Sequence, residues 1–314
     1  MSFKHSAIDL AKRIVRPISK HRFLIERAKY IGRDVKTAEQ GNELIRQALA
    51  VGMPTACGKI GSVELGLITR YLMREKSEGQ TVTNWAGHDR MINNNAGVYP
   101  IDNVVISKFA RVFLESLRQT NLLGVWYRFG EARITKEFSK DATLIDSHAI
   151  EPYFFDNPWT TALKNKRVLV ITPFTISVER NFANRHLIWK SKPNLLPDFQ
   201  IETLRCPLQP QMIQAEYPTW HDAFEKLKSE MSRRTWDVMI VGAGAWSIPL
   251  CAHARSMGRC GIHMGGSTQI LFGIKGKRWD NHPKFQGFFN EHWTRPLAEE
   301  TPRAVSTVEN GCYW

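Results

Sequence analysis

Along the second half of the chain, apolar runs and amphipathic stretches alternate regularly. RVLVITPF from Arg167 is an unbroken run rich in β-branched residues, and a helical stretch from Ile176 to Trp189 follows it. FQIETLRC reads as the next strand, Trp220 to Met231 as a helix, DVMIVGAG as a strand, Ser247 to Met257 as a helix and CGIHMGG as a short strand. A helical stretch starts near Ser267. Strands without polar alternation, separated by helices of about ten to fifteen residues, predict a parallel sheet with helices on both faces.

The first half shows the same grammar less regularly. A helix over Thr37 to Val51 precedes PTACGKIGSVELGLITRYL, which reads as a strand, a glycine turn at Gly58 and Gly61, and a helix from Ser62. NNNAGVYPID leads into an amphipathic helix over Val104 to Leu117, and NLLGVWYRF and DATLIDSH are two further strand candidates. The pattern predicts an α/β, Rossmann-like fold in four parts. These are a basic helical segment at 1–36, an α/β half at 37–150, a second Rossmann-like half at 151–295 and a loosely ordered tail at 296–314. The Pro- and Lys-bearing stretch 151–166 is the expected linker between the halves.

Composition narrows the class. A chain of 314 residues with 43% hydrophobic residues and ten Trp has enough apolar surface for one large core or two smaller ones. The formal net charge of +13 points to an anionic partner. No RNP motif, zinc-finger spacing or basic heptad accompanies it, so no nucleic-acid partner is expected. Five cysteines, odd in number and never in a C-x-x-C pair, fit reduced thiols in a cytosol. The N-terminus lacks the apolar core of a secretory signal, and no run of eighteen apolar residues occurs. The expected location is cytoplasmic, with a peripheral role at the inner membrane open. In residues 4 to 30, Ile8, Leu10, Ala11, Ile14 and Val15 share one side of a helix and Lys4, Lys12, Arg13, Arg16, Lys20 and Arg22 surround them, with Pro17 as a break. Such a segment suits an anionic membrane surface. Equally, it suits a solvated leading helix.

In a parallel sheet, ligands gather outside the carboxyl ends of the strands. The turns bearing Gly242, Gly244, Gly265 and Gly266 therefore become candidates for a diphosphate held by backbone amides at helix N-termini. Beyond them, Lys275, Lys277, Arg278 and Trp279 offer cations and an aromatic face for a phosphate and a base or sugar ring. Glu64 stands at the mouth of the first glycine turn, as a base, a ligand to a sugar hydroxyl or metal, or merely a carboxylate at the positive end of a helix. Asp146, His148 and Glu151 form a cluster that could ligate a metal. GAGAWS resembles a dinucleotide fingerprint, but Ser247 occupies its third position and His263 stands where the ribose-binding acid belongs, which argues against NAD. The usual hydrolase, NTPase, zincin and Asp-x-Asp motifs are lacking.

GKIGSVELG at Gly58 to Gly66 resembles the R-x-G-D-x-E turn of GT-D type glycosyltransferases. NNNAGVYP at Asn93 to Pro100, NPWTTALKNKRVLVITPF at Asn157 to Phe174 and the long block from Asp237 to Trp279 are similar, in the same order, to blocks in bacterial capsule, exopolysaccharide and O-antigen proteins. The resemblance implies a GT-D fold, a nucleotide-sugar donor such as a UDP-hexose, and transfer to a growing glycan or lipid-linked acceptor. It carries Gly61 and Glu64 over as site residues, with Ser62, Gly242 and Gly244 beside the donor. Lys59 and Ser62 replace the family's Arg and Asp, which leaves a role for Mn or Mg open. Glu64 is the first candidate base and His263 the second. The alternatives are another nucleotide-dependent Rossmann enzyme or a non-catalytic member of a polysaccharide assembly.

Overall fold

The computed structural model describes residues 21–76, 92–207, 215–302, 304–307 and 309–314. The basic stretch 4–20 lies outside the described residues. One sheet of eight strands organises the rest: β1 (Val35–Lys36), β2 (Thr55–Lys59), β3 (Leu122–Val125), β4 (Thr143–Asp146), β5 (Arg167–Thr172), β6 (Gln200–Arg205), β7 (Val238–Val241) and β8 (Cys260–His263). Their order is β1-β4-β3-β2-β8-β7-β5-β6, and every neighbouring pair is parallel. The expected α/β class with helices on both faces is observed.

The two sequence halves share this sheet. Thr55, Ala56 and Cys57 of β2 pair with Cys260, Gly261 and Ile262 of β8. The stretch 151–166, expected as a linker, is a series of short 3-10 turns whose Tyr153, Trp159 and Leu163 are fully buried. The central strands are covered on both sides, which is why they read as continuous apolar runs.

Helices form where the sequence supplies both an apolar face and a cap. In α1 (Ala38–Val51), Thr37 and Gln40 form a capping box, and Gly52 closes the helix in a left-handed conformation. Helix α2 (Ser62–Lys76) follows β2, and α3 (Asn103–Gln119) starts at Asp102, which accepts from the Val105 amide at 2.8 Å. Helix α4 (Glu131–Phe138) follows β3, α5 (Thr175–Ala183) follows β5, α6 (Trp220–Ser232) follows β6 and α7 (Ser247–Ser256) follows β7. The helix expected over Ile176 to Trp189 is broken: α5 stops at Asn184, and a separate turn covers Arg185–Ile188.

Helices α2, α3, α4, α6 and α7 pack on one face of the sheet. On the other lie α1, α5, the turns of 150–163 and the segment from Ile270 to Trp293. This division places a topological switch between β2 and β8. The chain leaving β2 goes to the first face through Leu65 and Ile68, whereas the chain leaving the adjacent β8 goes to the second through Ile270 and Leu271. Loops that part between neighbouring parallel strands open a crevice at their carboxyl ends.

The tail expected to be loosely ordered is bonded to this scaffold. Gln269 Nε2 donates to the Tyr313 carbonyl at 2.6 Å, the Arg278 amide to the Cys312 carbonyl at 2.9 Å, and Trp314 Nε1 to the Glu300 carbonyl at 3.0 Å. Among the described residues no helix is long and apolar enough to cross a membrane.

Candidate functional site

A cleft of about 660 Å³ occupies the switch point. The residues at or just past the ends of β2 through β8 reach it, from Lys59 and Trp126 on one side, through Thr172 and Gly242, to His263 at the centre. Both candidate catalytic residues line it. Glu64 sits in the first turn of α2, nearly buried, with its carboxylate folded back over Gly61. A Cβ at Gly61 would meet the carboxyl carbon of Glu64 at 2.7 Å, so that glycine makes room for the acid. Ser62 lines the cleft beside it, exposed.

His263 ends β8 and is 8% exposed. The Gly265 amide donates to its Nδ1 at 3.2 Å, while the Val241 carbonyl lies farther from the same nitrogen, at 3.4 Å. The two contacts belong to opposite tautomers: Nδ1 accepts from Gly265 when the proton is on Nε2, and donates to Val241 when it is on Nδ1. Burial, reinforced by the charge of Lys59, pushes its pKa down to about 4, so the imidazole is neutral at physiological pH. It is a poor base and a ready hydrogen-bond donor.

Three of the amides in and beside the glycine turns have partners within the protein. The Gly242 amide donates to the Ile171 carbonyl at 2.9 Å, and the Ala243 amide to the Ser247 hydroxyl at 3.0 Å. Together with the Gly265 amide, these donors are committed within the protein. Space explains the glycines better. A side chain at Gly242 would strike the Gly265 carbonyl and Thr268, one at Gly266 would strike Tyr313, and one at Gly244 would meet the Ala96 carbonyl at 2.9 Å. The helix after β8, Ser267–Leu271, has only five residues and a correspondingly small dipole.

Cationic side chains also face this cleft. Lys59, Arg128, Arg278 and Lys284 line the cleft against two carboxylates, Glu64 and Glu151. Lys59 Nζ and Arg128 Cζ lie 5.4 and 4.2 Å from the centre of the Trp126 ring, and Trp126 Nε1 donates to the Ile60 carbonyl at 3.0 Å. Arg278 stacks on Tyr313 with its Cζ at 4.8 Å and donates to the phenol at 3.1 Å. Of the basic residues expected beyond the glycine turns, only Arg278 reaches the cleft. Lys275 is turned onto Phe289, and Lys277, which starts a short helix, is outside the lining. Trp279, expected to face a base or sugar, lines the cleft, is 4% exposed and packs on Phe285 and Tyr313.

Two buried polar atoms on this floor have no protein partner: Thr268 Oγ1 and Gln269 Oε1. An unsatisfied buried oxygen costs roughly 1–3 kcal/mol, which a bound hydrogen-bonding ligand or water recovers. His148 and Glu151 also line the cleft, but the three-residue metal cluster is not assembled. Asp146 accepts from the backbone amide of His148 and pairs with its Nδ1, both at 2.8 Å, while Glu151 accepts from the Ser267 hydroxyl at 2.8 Å. Among the described residues no group of three or more His, Cys, Asp or Glu side chains is arranged to hold a metal ion.

Sequence reasoning missed the wall formed by Trp126 and Arg128 and the acid that shapes it. Glu131, fully buried at the start of α4, accepts from the Trp126 and Arg128 amides and from the Tyr30 hydroxyl, at 3.2, 3.2 and 3.3 Å. Between those amides Tyr127 is held at φ +59°, an uncommon conformation for an aromatic residue. The signal was the run WYRFGE, an aromatic-basic turn ahead of a helix. Tyr313 and Trp314, from the tail, complete the opposite wall. Comparison with family models, with curated proteins and with solved structures returns no match to this chain.

Proposed function

We propose that this chain is a glycosyltransferase that moves a sugar, in the UDP-hexose class, from a nucleotide donor to a growing bacterial surface glycan. One observation carries the reading: the switch-point cleft brings Glu64 and a neutral His263 together with cations from both walls. Transfer breaks the bond between the anomeric carbon and the diphosphate, and the departing electron pair goes to the diphosphate oxygen. Lys59, Arg128 and Arg278 stabilise that charge electrostatically. In an inverting transfer Glu64 takes the proton of the acceptor hydroxyl as its oxygen attacks. Its depressed pKa makes His263 a poor base, and in the tautomer with the proton on Nε2 it serves as a hydrogen-bond donor to a donor-sugar or phosphate oxygen.

A screen of UDP-, GDP-, dTDP- and CMP-sugars, read by released nucleotide, tests the proposal. Release from one donor class that is lost in Glu64→Gln, with donor affinity and melting temperature retained, is the expected result. Absence of release from every donor, alongside a thermal shift with S-adenosylmethionine or NAD, overturns it.

A further inference from the structure

Beside the cleft, residues 21–28 form a surface helix continued by turns to Gly32. Between residues 21 and 32 only Glu26 and Tyr30 are buried. Leu24, Ala28 and Ile31, spaced four and three apart, all face out, and Leu24 and Ile31 are 51% and 84% exposed. Phe129, 54% exposed, stands on the flank of this helix, in the β3–α4 loop whose Trp126 and Arg128 line the cleft. Cations frame it: Arg22 Cζ and Lys29 Nζ lie 5.2 and 5.5 Å from the Phe129 ring centre, and Arg27 Cζ lies 5.9 Å from that of Tyr127. The acids among residues 21–36 are Glu26, paired with Lys29 at 2.7 Å, and Asp34, paired with Lys36 at 2.6 Å.

We infer that this ridge docks the protein on an anionic lipid surface, with Leu24 and Ile31 entering the headgroup boundary and the flanking cations resting on lipid phosphates. An exposed apolar ridge inside a basic frame is complementary to such a surface in both hydrophobicity and charge. A protein partner of neutral or basic character would leave these cations unmatched.

The test uses the full chain and sedimentation with vesicles of phosphatidylglycerol and phosphatidylcholine, and needs neither donor nor acceptor. Its outcome is thus separate from that of the glycosyltransferase reading. The wild type is expected to sediment with the mixed vesicles, to release in high salt and to bind pure phosphatidylcholine weakly. The double variant Leu24→Glu/Ile31→Glu is expected to lose at least tenfold in partitioning with an unchanged melting temperature. Val104→Glu, at an exposed apolar site (77%) on α3, is expected to bind like the wild type. Three results overturn the inference. They are equal partitioning of the double variant, indifference to lipid charge, and a wild type that self-associates through this ridge while the double variant is monomeric.

Discussion

Glu131 is a fully buried carboxyl with three hydrogen-bond donors and no cation paired to it, and it should leave a mark on stability against pH. Burial raises its pKa from 4.5 to about 7, against the opposing pull of the amides of Arg128 and Trp126. The folded state therefore holds a proton that the unfolded chain releases above pH 4.5. Stability falls as pH climbs through the window from 4.5 to about 7, and the full loss is about 3 kcal/mol. In Glu131→Gln a single amide oxygen at the Oε2 position can keep all three donors satisfied, since each reaches Oε2 within 3.3 Å. At pH 5 the folded wild type holds Glu131 neutral, so acid and amide compare there as two neutral acceptors. The variant is thus expected to be close to the wild type at pH 5 and to gain on it by up to about 3 kcal/mol by pH 8. Urea unfolding of both proteins across that range measures the difference. Histidines titrating in the same window are common to both proteins and cancel. Parallel stability profiles would refute the buried-proton reasoning.

Gly244→Val is expected to destabilise the fold by about 1–3 kcal/mol, because φ is +51° there and the added Cβ would meet the Ala96 carbonyl; an unchanged melting temperature would contradict this. In Asp146→Asn, His148 loses the carboxylate that raises its pKa and should titrate lower, as followed by its ring-proton NMR shift. Arg278→Ala is expected to weaken pyrophosphate binding about tenfold, more steeply at low salt than at high, because the guanidinium is a charge contact in an open cleft. Titration calorimetry at two ionic strengths checks it, and equal affinity at both would remove Arg278 from the site.

The strands were legible because burial on both faces demands apolar side chains at successive positions, and Val168 to Ile171 satisfy that demand. Helix α4 was not legible. It has eight residues, starts after Gly130 in a left-handed conformation with no side-chain cap, and has its apolar face interrupted by the buried Glu131. The break at Asn184 was hidden for a similar reason. Beyond it Trp189 turns inward to donate to the Leu271 carbonyl at 2.8 Å, a tertiary bond that no local pattern announces. The tail carries the polar composition of a loose segment, yet it is fixed largely through its carbonyls at Cys312 and Tyr313. Backbone acceptors are the same in every residue, so an anchor made of them has no sequence signature.

The site shows the same division more sharply. Gly242, Gly244 and Gly266 stand where a side chain would clash, but the sequence does not say what fills the space. Around this cleft the neighbouring turns fill it: Gly265 and Thr268 against Gly242, Tyr313 against Gly266, and the Ala96 carbonyl against Gly244. The cations follow the opposite logic. Lys59, Arg128 and Arg278 are far apart in the chain, and each alone is an ordinary surface charge. They converge because β2 and β3 are adjacent in the sheet, and because the segment after β8 crosses to the other face and returns Arg278 to the same crevice. The cationic lining of the cleft is consequently a product of tertiary placement rather than of any local run of sequence. Glu64 and His263, by contrast, follow strand ends legible in the sequence, which is why their place at this cleft could be expected while that of the wall facing them could not.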